Sequence, residues 1–247
     1  MVAGLIPSPG KIEMIELKTK LSICMLLIII GFTAAKAQPK NEIADYPLHV
    51  QHKRSDKPVL VYFTGDGGWN TFSESVINEL GKNGYPTIVL DTRKYFWNQK
   101  TPAQFAADMK VILNFYLKSW NKDSYAVIGY SFGADVAAFL PAYLPDELSD
   151  KMNSMVLLSP GFSTGFVVKL KNMLNFGGTD KEKYKVHPEL LKSPVPVWCI
   201  FGKDEGSDFA AAIKESAQLH KVIIPGSHRY NDDVSQLSKT IIRGLNK

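Results

Sequence analysis

The chain has 247 residues, enough for one substantial α/β domain with a buried core and short for two. Hydrophobic residues make up 45% and charged residues 21%, an ordinary globular balance that sets aside the low-complexity and fibrous classes. A formal net charge of +5, with no basic patch interleaved with aromatics, is too mild for a nucleic-acid footprint.

The first element in chain order is a leader. Residues 21–35, LSICMLLIIIGFTAA, form an apolar run preceded by Lys18 and Lys20. The run ends in Ala35-Lys36-Ala37, the pattern of a signal peptide cleaved after Ala37, so residues 1–37 read as leader and residues 38–247 as one mature domain beginning at Gln38. The run is short of the roughly 20 apolar residues a helix needs to span a bilayer. Met14 gives a leader of usual size, with residues 1–13 as an upstream extension. Ile23 is bulky where a lipoprotein signal has a small residue, and the apolar run continues past Cys24, which argues against lipidation. Loss of four basic residues (Lys11, Lys18, Lys20, Lys36) and two acidic ones (Glu13, Glu16) would bring the net charge from +5 to +3. That suits loose contact with an anionic membrane surface outside the cytoplasm. Cys199 then remains as a single thiol in an apolar run; no disulfide, metal cluster or cofactor motif is indicated.

Beyond the leader, PLHV (47–50) begins an edge strand. PVLVYFTG (58–65), YPTIVLDT (85–92), SYAVIGYS (124–131), SMVLLSPG (154–161), PVWCIFGK (196–203) and KVIIPGS (221–227) follow. Each is a short, nearly continuous apolar run, as strands buried on both faces require. Helical patterns alternate with them. Residues 70–83 carry Phe72, Val76, Ile77 and Leu80 at helical spacing and stop at Gly84 as a C′ glycine. Thr101-Pro102 reads as an N-cap and N1 proline, and two further helices are expected over 206–219 and 231–245. Strands alternating with helices predict a mostly parallel sheet covered on both faces. The long connection 162–194 breaks the rhythm and is expected to act as a short lid or substrate wall.

The chemistry centres on GYSFG (129–133), where a strand ends and a helix of small residues begins. This is the setting of a nucleophile elbow, with Ser131 as nucleophile. A serine hydroxyl needs a base to take its proton and a carboxylate to orient that base. His228 follows the last strand and supplies the base. The acid follows VWCIFGK: spacing favours Glu205, while side-chain type and shorter reach favour Asp204, with Asp208 a more distant third. Asp204 is the preferred reading and Glu205 the alternative. The oxyanion would meet the backbone N–H of Phe132 and that of Asp66 in the loop TGDGGW. The Asp66 carboxylate reads equally as a receiver of a cationic substrate group or as a helix N-terminal cap. Tyr95, Phe96 and Trp97 read either as simple packing or as a site wall that meets the bilayer interface.

FTGDGGW, RKYFWNQKTPAQFAADM, GYSFGADVAAFLPAYLP, SPG, GKDEGSD and GSH together resemble the bacterial virulence protein VirJ/AcvB family over about residues 45–245. In length the chain resembles the short VirJ form. The resemblance implies an α/β-hydrolase fold, a periplasmic location and hydrolysis of aminoacylated phosphatidylglycerol, especially the lysyl form, at a phospholipid headgroup. It also links the chain to type IV secretion, and so to a secretion partner. Two competing readings are a general carboxylesterase or thioesterase and a non-catalytic periplasmic binding module. Retention of serine, histidine and acid together argues against the latter.

Overall fold

The computed structural model describes residues 42–168 and 181–246. The leader expected over 1–37 and the middle of the long connection lie outside the described residues. In chain order the strands are β1 (Leu48–Gln51), β2 (Val59–Phe63), β3 (Thr87–Leu90), β4 (Tyr125–Tyr130), β5 (Met152–Leu158), β6 (Ser163–Thr164), β7 (Tyr184–Lys185), β8 (Val197–Gly202) and β9 (Leu219–Ile224). The helices are α1 (Thr71–Lys82), α2 (Thr92–Tyr95), α3 (Pro102–Ser119), α4 (Phe132–Ala137), α5 (Leu140–Tyr143), α6 (Asp146–Ser149), α7 (Val186–Leu191), α8 (Asp208–Ala212) and α9 (Val234–Leu245).

Seven strands form one sheet in the order β1-β3-β2-β4-β5-β8-β9. Only the edge strand β1 runs antiparallel; the other pairings are parallel. Side chains alternate across the pleat. Val59, Val61 and Phe63 of β2 enter a core with Phe105, Met109 and Ile112 of α3, whereas Leu60 and Tyr62 enter a second core with Val76 and Leu80 of α1 and Leu237 and Ile241 of α9. Both faces are therefore covered. Each fully buried side chain of this kind contributes about 1.5–3 kcal/mol before the entropy of ordering is subtracted.

Local signals set several helix ends as expected. Thr101 and Gln104 form a reciprocal capping box at the start of α3. Gly84, at a φ of +84°, follows the C-cap Asn83 of α1, and the Tyr85 N–H reaches back to the Leu80 carbonyl. The helix expected over 206–219 is cut to α8. Ile213 turns to extended backbone (φ −69°, ψ 120°), and the Ser216 hydroxyl accepts from the N–H groups of Gln218 and Leu219. A serine that captures nearby backbone donors favours a turn over a helix. Asp66 does not cap α1; Asn70 does, accepting from the Ser73 N–H at 3.2 Å.

The long connection carries structure of its own at both described ends. Ser163–Thr164 pair antiparallel with Tyr184–Lys185, and α7 follows. Among the described residues no helix is long and apolar enough to cross a membrane.

The sheet and α4 meet at glycines. A Cβ on Gly133 would lie 2.3 Å from the Thr64 carbonyl oxygen and 2.4 Å from that of Phe63. Both are backbone atoms of a central strand and its exit loop, so they cannot move aside cheaply. Gly133→Ala is expected to cost about 3 kcal/mol of stability through overpacking. The check is a lower urea midpoint at unchanged slope; an unaltered midpoint would show that this contact does not limit the packing.

Candidate active site

Ser131 sits between β4 and α4 at φ 52°, ψ −121°, a conformation a non-glycine residue adopts only under constraint. Its N–H donates to the Leu158 carbonyl at 2.8 Å, which ties the turn to β5. The turn leaves the hydroxyl exposed to a pocket of about 400 Å³ that also contains His228 and Glu205.

The three side chains form one hydrogen-bonded line. His228 Nε2 lies 2.9 Å from Ser131 Oγ, and His228 Nδ1 lies 3.0 Å from Glu205 Oε2. An ionised carboxylate only accepts, so Nδ1 carries the proton and Nε2 presents its lone pair to the serine hydroxyl. The Glu205 side chain is 5% exposed and the His228 ring 19%, so the line runs from the pocket into the protein.

The carboxylate that meets the histidine is thus Glu205, where the sequence favoured Asp204. Lys203–Glu205 form a single 3₁₀ turn after β8, ended by Gly206 at φ +61°. Successive side chains on such a turn point about 120° apart, so only one of two adjacent acids can face the histidine. The Asp204 N–H donates to the Gly226 carbonyl at 2.8 Å, which fixes the turn against the histidine loop and leaves the Asp204 side chain in solvent. The longer Glu205 arm spans the remaining gap.

Phe132 is the first residue of α4, where the initial N–H groups have no carbonyl partner within the helix. Asp66 lies in the loop after β2, and both it and Phe132 line the pocket. Thr92 holds that loop: its N–H donates to Thr64 Oγ1 at 3.0 Å and its hydroxyl to the Gly65 carbonyl at 2.8 Å. Of the three aromatics after β3, Tyr95 and Phe96 are buried, with the Phe96 ring 5.3 Å from that of Phe132, and Trp97 is 56% exposed.

Two tyrosines that the sequence reading did not single out support the histidine loop. The Tyr230 hydroxyl donates to the Ile200 carbonyl at 2.9 Å and also bonds the Ser159 hydroxyl at 2.8 Å, anchoring the loop to β8 and to the residue that follows β5. Tyr130 donates to the His228 carbonyl at 3.3 Å. Burial pushes both phenols above their ordinary range, so each stays a neutral donor. Asp135, also missed, lines the pocket from α4; its place four residues past the nucleophile in an otherwise small and apolar helix was the available signal.

The fold is shared with solved hydrolases. Est1E from Butyrivibrio proteoclasticus is 17% identical with a TM-score of 0.56, covering 81% of this chain and 93% of its own. MenH from S. aureus is 14% identical with a TM-score of 0.59, covering 82% and 98%. The carboxylesterase CesB (YbfK) from Bacillus subtilis is 14% identical with a TM-score of 0.56, covering 81% and 92%. Likeness at this identity establishes the α/β-hydrolase fold and nothing finer. No curated protein matches the sequence closely enough to count as a relative. The bacterial virulence protein family VirJ, by contrast, matches residues 57–247, from β2 through the whole Ser131–His228–Glu205 line, and the chain belongs to that family.

Proposed function

We propose that this chain is a serine ester hydrolase acting outside the cytoplasm on the aminoacyl ester of a phospholipid headgroup, lysyl-phosphatidylglycerol or a close relative. The observation that carries the reaction class is the unbroken hydrogen-bonded line from Ser131 through His228 to Glu205. Membership of the VirJ family and the Asp66, Asp135 and Glu205 carboxyl groups that line the pocket support the substrate, and the apolar run over residues 21–35 supports the location.

The chemistry follows the geometry. His228 Nε2 takes the Ser131 proton as Oγ attacks the ester carbonyl, and Glu205 steadies the imidazolium that forms. The tetrahedral oxyanion is received by the backbone N–H groups of Phe132 and Asp66. His228 then returns the proton to the departing glyceryl oxygen, leaving an aminoacyl-serine and phosphatidylglycerol. Water, deprotonated by the same histidine, cleaves the acyl-serine and releases the free amino acid.

Purified protein given lysyl-phosphatidylglycerol in mixed micelles is expected to release lysine and phosphatidylglycerol, faster than it cleaves the fatty-acyl esters of the same lipid. Mass spectrometry of the products decides. Lysophospholipid and fatty acid would make the chain a lipase instead, and no product at all would point to a binding role.

A further inference from the structure

Asp135 is the acid in the pocket that the reaction leaves unused. It lies four residues beyond Ser131, on the helix that begins at the nucleophile. Its Oδ1 accepts a 2.6 Å hydrogen bond from the Gly161 N–H, and among the described residues no lysine, arginine or histidine forms an ion pair with it. A carboxyl group half-buried in a pocket keeps its charge readily only when a cation comes to meet it. Accepting from one backbone N–H needs only a neutral oxygen, which an asparagine would supply.

The pocket around it is charged against the trend of the chain. Basic residues outnumber acidic ones by 29 to 24 in the whole sequence. Among the described residues the pocket lining reverses this, with Asp66, Asp135, Glu205 and Asp208 against Arg229. Asp66 stands close enough to Asp135 for its charge to be felt there. Two carboxylates in one recess repel each other until a positive group enters between them.

We infer that Asp135, assisted by Asp66, is the specificity-determining residue that receives the ammonium group of the substrate. The inference rests on the hydrolase reading of the pocket and names the feature of the ester that the pocket selects. Burial raises the Asp135 carboxyl to about 8, with the Gly161 N–H opposing this and Asp66 adding to it. At neutral pH the free pocket therefore holds Asp135 largely as the neutral acid, and an incoming ammonium favours its ionised form by offsetting both the desolvation and the charge of Asp66. A neutral acyl ester has no such gain to offer.

The test reads binding apart from turnover. Ser131→Ala protein is titrated calorimetrically with lysinamide and with its doubly acetylated, uncharged counterpart, and the titrations are repeated in a Ser131→Ala/Asp135→Asn background. Asparagine keeps the acceptor for Gly161. Loss of a charge-assisted hydrogen bond predicts that Asp135→Asn weakens lysinamide binding by about 10- to 100-fold. The acetylated amide should bind poorly to both proteins. Lysinamide binding that is absent, no tighter than that of the acetylated form, or unchanged by Asp135→Asn overturns the assignment. With Ser131 intact, Asp135→Asn should raise KM for lysyl-phosphatidylglycerol more than it lowers kcat; an equal fall in activity on charged and acetylated esters would mark a merely structural role. Lysinamide binding that depends on Asp135, in a protein that releases no lysine from the lipid, would sustain this inference while sinking the proposed reaction.

Discussion

Ser131→Ala is expected to abolish ester hydrolysis, with kcat falling by about 10⁶-fold, the scale seen when a serine hydrolase loses its nucleophile. The size of the effect follows from the line of hydrogen bonds. Without Oγ there is no atom 2.9 Å from His228 Nε2 to form the acyl bond, and water must attack directly in a site shaped for something else. The backbone N–H groups proposed for the oxyanion survive, so a small residual rate above solution is expected to remain. The fold should also survive. Alanine keeps the Cβ, so the constrained backbone at φ 52° is strained no further, and the one lost hydrogen bond is in the open pocket. Removing a strained polar group from an active site often leaves stability unchanged or slightly improved. A fluorophosphonate probe should label the wild type at Ser131 and leave the variant unlabelled. Wild-type turnover by the purified variant, or a wild type that never reacts with the probe, would remove Ser131 from the mechanism.

The second large effect separates two neighbouring acids. Glu205→Gln should lower kcat by about 10⁴-fold, as replacement of the orienting carboxylate by its amide does in a well-measured serine protease triad. A glutamine can turn an N–H toward His228 Nδ1. The imidazole is then held with its proton on Nε2, and it can no longer accept the serine proton. The imidazolium formed during attack also loses the negative charge that stabilises it. Asp204→Asn changes an exposed side chain that plays no part in the line, and its backbone N–H still donates to Gly226, so activity should change less than about twofold. Steady-state kinetics on one ester substrate compares the two variants directly. If Asp204→Asn were the damaging change and Glu205→Gln the mild one, the acid would be Asp204 and the imidazole contact at 3.0 Å would not be the working one.

Much of this site was legible without coordinates because it is written in short-range pattern. Backbone preferences act over a few residues, and a strand, a serine among glycines and a small-residue helix occupy only residues 125–137. The same holds for the capping box at Thr101 and the turn at Gly84. The sequence pointed to His228 because a serine nucleophile would need a base past a late strand, and the structure sets that histidine against Ser131. Strand limits agreed with the structure to within a few residues, since strands buried on both faces have to be apolar throughout; β9, expected to be one of these, is instead an edge strand with Ile223 exposed.

What the sequence left undetermined depends on how distant segments are turned toward one another. Asp204 and Glu205 are chemically alike and adjacent, and local pattern cannot say which will face a histidine 23 positions away from Glu205. The 3₁₀ turn ending at Gly206, locked by the bond from Asp204 to Gly226, makes that choice. The early end of α8 depends on where the Ser216 hydroxyl finds its donors on the way into β9. Asp135 looks from sequence like an ordinary polar residue on a helix. Only the packing of α4 beneath the loop after β5 half-buries it at the pocket wall, bonds it to Gly161 and sets it within reach of the charge on Asp66. Residue type and spacing determined the fold and the places of Ser131 and His228, because those depend on periodicity and backbone dihedral preference. The acid and the charge of the pocket were decided by tertiary structure, because side-chain direction and desolvation exist only once the sheet has brought the loops together.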